Sequence, residues 1–214
     1  MTSKTNIKKP TRLVAVAALL GAWLGLTGCT STPVPTQPPQ TSIAQSPPPA
    51  STSSTQDVLT AHGLAGLDAR QVIDQLDATP LAERSTDLIA SVRPHELLIS
   101  DNQQRETTLP IPDDQFYLSF APYLEQTHEC HFHSLTTCVG ELQNVEVQVK
   151  VTNAAGEALV DEVLHTFDNG FVGVWLPRDI DATLTVEHDG HTASTAITTK
   201  GDEAATCLTT LQLR

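Results

Sequence analysis

The sequence predicts an α+β protein, with a small N-terminal helical section packed on a C-terminal antiparallel β-sandwich. Three observations carry this expectation. Val145, Val147, Val149 and Val151 alternate with Glu146, Gln148, Lys150 and Thr152, the period of a strand with one buried and one wet face. Short candidate strands recur downstream between turn residues such as Asp168-Asn169-Gly170 and Asp189-Gly190, as in a sandwich. Upstream, Val72, Ile73 and Leu76 fall at helical spacing after a capping-box pair, Asp68 and Gln71.

Residues 1–28 read as an export signal. Lys4, Lys8, Lys9 and Arg12 form a charged start, and Leu13 to Leu26 an apolar core too short for a comfortable membrane span. Leu26-Thr27-Gly28-Cys29 then resembles the bacterial lipobox, in which the cysteine is lipidated and becomes the first residue. Several acyl chains on Cys29 give stable anchoring in the membrane. Residues 29–56 are almost all Ser, Thr, Pro, Gln and Ala, and cannot bury enough apolar surface to offset chain entropy. They form a disordered tether, stiffened by Pro38-Pro39 and Pro47-Pro48-Pro49.

The helical section spans 57–94. Its first helix starts at Asp68. A second is expected from Thr79 as cap and Pro80 at the first helical position, with Leu81, Leu88, Ile89 and Val92 on its apolar side and Pro94 ending it. From 95 to 214 the pattern turns to strands, with candidates at Glu96–Ser100 and Gln115–Phe120 before the valine strand. Val163–Phe167 and Phe171–Leu176 flank Asp168-Asn169-Gly170, and Thr183–His188 and Thr192–Thr198 flank Asp189-Gly190. Both pairs read as hairpins. Leu208–Leu213 closes the sheet.

The signal removes four of the 12 basic residues and no acidic ones, so eight face 25 acidic residues, a net of −17. That excludes nucleic acid and anionic membrane surfaces as electrostatic partners. The single methionine is Met1, so the exported chain has no thioether ligands. Gly-x-Ser-x-Gly, His-Glu-x-x-His and P-loop motifs are absent, leaving no support for hydrolytic or nucleotide chemistry.

The chemistry concentrates in Cys130-His131-Phe132-His133-Ser134-Leu135-Thr136-Thr137-Cys138, with His128 just upstream and Cys207 near the C-terminus. An exported chain normally pairs its cysteines, and three cannot all pair. Soft sulfur beside imidazole suits copper(I) or zinc. In an extended segment Cys130 and Phe132 share one face and His131 and His133 the other, which points the imidazoles away from the thiols as auxiliary metal residues. Cys207 shares strand parity with Leu211 and Leu213 and is expected inward with them. Three readings stay open on spacing: a Cys130–Cys138 disulfide with Cys207 buried, a metal site, and a thiol redox site, the last weakened by the absence of Cys-x-x-Cys. His188 and His191 bracket a turn and can chelate together. His165 reads as a sheet residue, and His62 and His95 as surface positions.

Glu129 through Leu142 resembles the signature of the CueP family of bacterial envelope copper-binding proteins. Phe171 through Arg178, Asp189-Gly190-His191 and Gly201 through Cys207 resemble later family segments, and the likeness runs from about His62 to the C-terminus. The resemblance implies copper handling outside the cytoplasm, with Cys130, Cys138 and Cys207 as the copper centre and Cu(I) favoured. It also implies Cu(II) reduction and delivery to an envelope copper,zinc superoxide dismutase. Thiol reduction is stoichiometric unless another protein restores the thiols, so the chain is not read as an enzyme. The lipobox and tether depart from the soluble periplasmic members and suit a tethered scavenger or buffer. The competing readings are a disulfide-stapled structural or adhesive domain without metal, and a zinc protein with mixed Cys and His ligands. A homodimer gives the apolar side of the helical section a place to bury.

Overall fold

The structure, a computed structural model, describes residues 58–214. The signal sequence, Cys29 and the tether lie outside the described residues. A helical turn over residues 58–61 precedes helix α1, Ala69–Asp77. The expected capping box forms: Gln71 N donates to Asp68 Oδ1 at 2.8 Å, and Asp68 N donates to Gln71 Oε1 at 3.1 Å. The expected second helix does not form. After a single 3-10 turn at Leu81–Glu83, Leu88–Val92 is strand β1. A helix on Leu81 needs apolar residues one turn on, where Arg84 and Ser85 stand. Leu88, Ala90 and Val92 instead alternate with Ser91 and the outward Ile89, 55 % exposed.

Strands dominate the described residues, in antiparallel and mixed sheets. β1 pairs with β2 (Glu96–Asp101), and β2 with β3 (Glu106–Pro110), all antiparallel. β4 (Gln115–Tyr123) lies between β7 (Val172–Pro177), antiparallel to it, and β10 (Cys207–Gln212), parallel to it. The third sheet has the order β6 (Ala158–His165), β5 (Glu146–Asn153), β8 (Asp181–His188), β9 (His191–Thr198). The expectation of a wholly antiparallel sheet system is thus corrected. The chain crosses from β9 over residues 199–206 and enters beside β4 in the same direction.

β4 organises the molecule because both its faces are covered. Phe116, Leu118 and Phe120 pack with Val147, Val149, Val151, Leu184 and Leu211 in one core. On the other face Tyr117 joins Val72 and Ile73 of α1 and Leu97 and Ile99 of β2 in a second core. Ala121, further along that face, meets Cys138, Phe171 and Cys207. At about 25 cal/mol per Å² the burial of these apolar side chains is the main force holding α1 and the small sheet against β4.

Two turn expectations part ways. Asp189-Gly190 closes the β8–β9 hairpin as expected, both residues at positive φ, 50° and 80°, as a type I′ turn requires. Asp168-Asn169-Gly170 turns but closes no hairpin, since β6 and β7 belong to different sheets. Tertiary partners take its side chains: Asp168 Oδ2 accepts from Leu81 N and Oδ1 from Asn144 Nδ2, at 2.8 and 3.0 Å. Gly170 sits at φ +77°, and a Cβ there would lie 2.6 Å from Gly140 O. Gly140 N donates to Asn169 O at 2.6 Å, docking the loop that carries Cys138. Gly170→Ala is therefore expected to cost about 2 kcal/mol or more, from left-handed strain plus backbone overlap. Urea denaturation checks this; an unchanged midpoint would contradict the close Gly140–Gly170 approach.

A bulge in β10 corrects the expected orientation of Cys207. Cys207 and Leu208 pair with Ser119 and Phe120, but Leu211 pairs with Pro122. Thr209 and Thr210 therefore oppose Ala121 alone, and side-chain parity flips across the bulge. Leu211 faces the large core, while Cys207 lies on the face of Ser119 and Ala121.

Candidate metal centre

The segment from 124 to 145, between β4 and β5, carries the chemistry and is tied down on two sides. Val92 N donates to His133 O and Leu135 N to Ala90 O, at 2.8 and 2.9 Å, along the edge of β1. Thr206 N and Cys207 N both donate to His131 O at 3.0 Å, ahead of β10. Leu135 plugs the second core. This path is irregular, so the alternation expected of an extended segment fails. His133 turns inward and is fully buried, while His131 stays exposed with Nε2 3.1 Å from Glu203 O.

The three cysteines meet. Cys130 and Cys207 form a disulfide with Cα atoms 5.7 Å apart. Cys138 is free and buried, its Sγ 3.6 Å from Cys130 Sγ. The structure thus pairs Cys130 across 77 residues with Cys207, in place of the local Cys130–Cys138 alternative. His133 Nδ1 lies 3.8 Å from Cys207 Sγ. Two overlapping groups result, His128 with Cys130 and Cys138, and His133 with Cys138 and Cys207, each with ligand atoms within 4.8 Å of one another. Three ligands bound at about 2.3 Å in a trigonal plane sit about 4 Å apart, so the sulfur spacing fits one small soft ion once the disulfide is reduced.

Behind the sulfurs lies a buried carboxylate that sequence reasoning missed. Asp77, the last residue of α1, is fully buried and accepts from His133 Nε2 at 3.0 Å, Tyr117 Oη at 2.6 Å and Asn169 Nδ2 at 2.8 Å. The one available signal was an acidic residue at the negative end of a helix, which local rules disfavour. Gly173, opposite Ser119, has no side chain to overlap the Tyr117 hydroxyl. Burial pushes the Asp77 carboxyl up, but the His133 charge and the hydrogen bonds from His133, Tyr117 and Asn169 outweigh it and hold the pKa below its ordinary value. Burial alone lowers the His133 pKa, yet Asp77 and the Cys138 thiolate raise it to about 9. For Cys138, burial pushes the thiol up, but the His133 hydrogen bond and charge, with Arg84 further off, bring it below its usual value. Asp77, His133 and Cys138 thus stand in series, each shifted toward its charged form. His133 thereby favours the thiolate of Cys138, the reactive, metal-binding form.

Other histidines stand apart from this centre. His188 and His191 pair across the β8–β9 turn, and their Nδ1 atoms contact Glu146 O and Asp189 O. His165 Nε2 lies 3.5 Å from Glu146 Oε1 at the surface, and His95, also exposed, bonds Asp202 at 3.1 Å. His62, expected at the surface, is instead largely buried, with a side chain 10 % exposed near Asp101.

A fold of packed antiparallel and mixed sheets that converges three cysteines and a buried histidine defines a class of small thiol–imidazole metal-binding domains. Residues 71–212 match the profile of the family described as periplasmic copper-binding protein CueP. The chain belongs to the CueP family. It is also similar to a solved structure titled "Crystal Structure of S.CueP", at 46% identity and a TM-score of 0.71, covering 77% of this chain and 100% of that one. No curated protein matches the chain.

Proposed function

We propose that this protein binds Cu(I) outside the cytoplasm through Cys130, Cys138 and Cys207 in their reduced form, and that the Cys130–Cys207 disulfide is the product of reducing Cu(II). The convergence of three sulfurs from remote segments on the buried His133–Asp77 pair carries this reading. Membership of a family described as copper-binding supplies the metal. The balance is simple: two thiols release two electrons and two protons, one disulfide forms, and two Cu(II) become two Cu(I). An external reductant must restore the thiols, so the turnover is stoichiometric. Three thiolates suit low-coordinate Cu(I) better than four-coordinate zinc. Lipidation at Cys29 would hold the domain at the membrane on its tether, as a copper buffer or as a donor to an envelope cuproprotein.

The test is an anaerobic Cu(I) competition against a coloured chelator with the reduced protein. Protection of three thiols by one Cu(I) supports the reading. Failure to compete would leave a disulfide-stapled domain without metal. The two histidines should separate in the same assay. His131→Ala is expected to leave Cu(I) affinity within about twofold, because its ring faces Glu203 and not the sulfurs. His133→Gln is expected to weaken it tenfold or more, the usual effect of losing a group that orients a ligand.

A further inference from the structure

The Cys130–Cys207 disulfide offers one end to the surface and hides the other. Cys207 is 1 % exposed and packs with Ala121 and Phe171. Cys130 is half-buried and lines a surface cleft of about 300 Å³ with Thr127, His128 and Glu129. Its Sγ lies within 4.8 Å of a ring nitrogen of His128. A second cleft of about 300 Å³ shares Thr127 and His128 and runs on to Val139 and Glu141. The two form one trough, joined at His128. Access decides which sulfur of a disulfide is attacked, so a thiolate arriving from solvent meets Cys130 and not Cys207.

The third cysteine limits which kind of thiol can finish the reaction. Attack on Cys130 leaves a mixed disulfide there and frees Cys207. Cys138 Sγ stands 3.6 Å from Cys130 Sγ, so that mixed disulfide is flanked by two protein thiols. Either of them can displace a monothiol and close a protein disulfide again. A reductant whose second thiol is tethered beside its first competes with them on intramolecular terms and resolves the bond outward. The rim of the trough adds the character of the partner. Leu124 and Val139 are 37 % and 43 % exposed. Glu125, Glu129 and Glu141 are exposed near them, and no lysine or arginine lines either cleft. Apolar contact inside an acidic rim suits a protein surface with basic residues around its thiols.

We propose that a dithiol protein reduces this disulfide by docking over the His128 trough and attacking Cys130. Its first thiolate bonds to Cys130 Sγ, the Cys130–Cys207 bond breaks, and the electron pair leaves on Cys207, which takes up a proton. Its second thiolate attacks the partner's own sulfur in the mixed disulfide, and Cys130 leaves and is protonated. Two electrons and two protons enter the protein, and the partner departs as a disulfide. This route serves the proposed cycle in which the disulfide is the oxidised state. Its test contains no copper, so its failure is distinct from failure in the chelator competition.

The test gives the oxidised protein, without air, two synthetic Cys-x-x-Cys peptides, one flanked by lysines and one by glutamates. Disulfide loss is followed by acid quench, alkylation and peptide mapping. Per thiolate, the lysine peptide is expected to reduce the wild-type bond about tenfold faster at low salt, with the gap closing in high salt. Glu129→Lys should narrow that gap at low salt. A single-cysteine form of the lysine peptide, given to Cys138→Ser so that one of the two displacing thiols is gone, should leave its adduct on Cys130. The same monothiol should leave several-fold less adduct on the wild type. An adduct on Cys207 would overturn the point of entry. Equal rates for the two peptides at low salt would overturn the docking surface, and equal adduct in wild type and Cys138→Ser would overturn the need for a dithiol. The wild-type rates stand whether or not the serine variant folds.

Discussion

Replacing Cys138 with serine is expected to weaken Cu(I) binding by more than about a hundredfold, beyond the ten- to hundredfold typical of lost outer-shell partners. Cys138 is the one residue common to both ligand groups, the outer one with His128 and Cys130 and the inner one with His133 and Cys207. Its thiol is also the one brought below its usual pKa by His133, against burial, so it is the sulfur best prepared to bind as thiolate. Serine fills nearly the same volume, and the site is a small apolar cluster with Ala121 and Phe171, so the fold should persist. The chelator competition is run on the reduced variant beside Cys207→Ser and His128→Ala. Loss with both cysteine variants and a smaller loss with His128→Ala would place the ion among the three sulfurs. Wild-type affinity in Cys138→Ser would remove the three-sulfur centre altogether.

Asp77→Ala should produce the largest change in stability, about 3–5 kcal/mol, the cost of removing one partner of a buried charged pair. The Tyr117 hydroxyl and, at 3.4 Å, the Ser119 hydroxyl lose their acceptor as well, and Asn169 Nδ2 keeps only the Asp77 main-chain oxygen. A domain of this size is stable by about 5–15 kcal/mol, so the variant should be near unfolding at 37 °C. The pair also sets a pH dependence. His133, raised from 6.5 to about 9, contributes fully below pH 6.5 and loses that contribution as pH rises through about 9. Asp77, lowered from 3.8, contributes fully above that value and loses its contribution as pH falls through its lowered pKa. Cys138 acts in the opposite sense at the alkaline end, since its lowered pKa adds stability above 9.0 that is lost as pH falls. Urea midpoints from pH 3 to 9 in the Cys138→Ser background therefore remove the opposing contribution of the thiol. Stability should fall on the alkaline side there, and a flat profile would sink the charged-pair assignment.

Periodic and short-range signals were legible. The valine alternation of β5, the Asp68–Gln71 capping box and the Asp189-Gly190 hairpin all form where local pattern places them. Each depends on residues a few positions apart, whose preferences act before any tertiary contact. The second helix failed because Pro80 and Thr79 signalled a start that no apolar stripe continued. The orientations of His133 and Cys207 failed for a different reason. Both rested on strict alternation, and alternation holds only where the ladder is regular. The chain from 128 to 138 is a loop apart from one isolated bridge at Ser134, and β10 carries a bulge two residues after Cys207.

By itself the sequence determined the chemical inventory: three soft sulfurs with imidazoles close by, no thioether beyond Met1, and too few basic residues for a nucleic-acid partner. It also determined most of the strands, because side-chain period is a local property. Only the tertiary structure decided which groups meet. Asp77 reaches His133 across 56 residues and Cys130 reaches Cys207 across 77. Those contacts arise because β4 buries both faces, and α1 and β10 must dock against it to remove apolar surface from water. The pKa shifts of Asp77, His133 and Cys138 follow from that docking, since burial makes each charge costly alone and favourable only beside its partner.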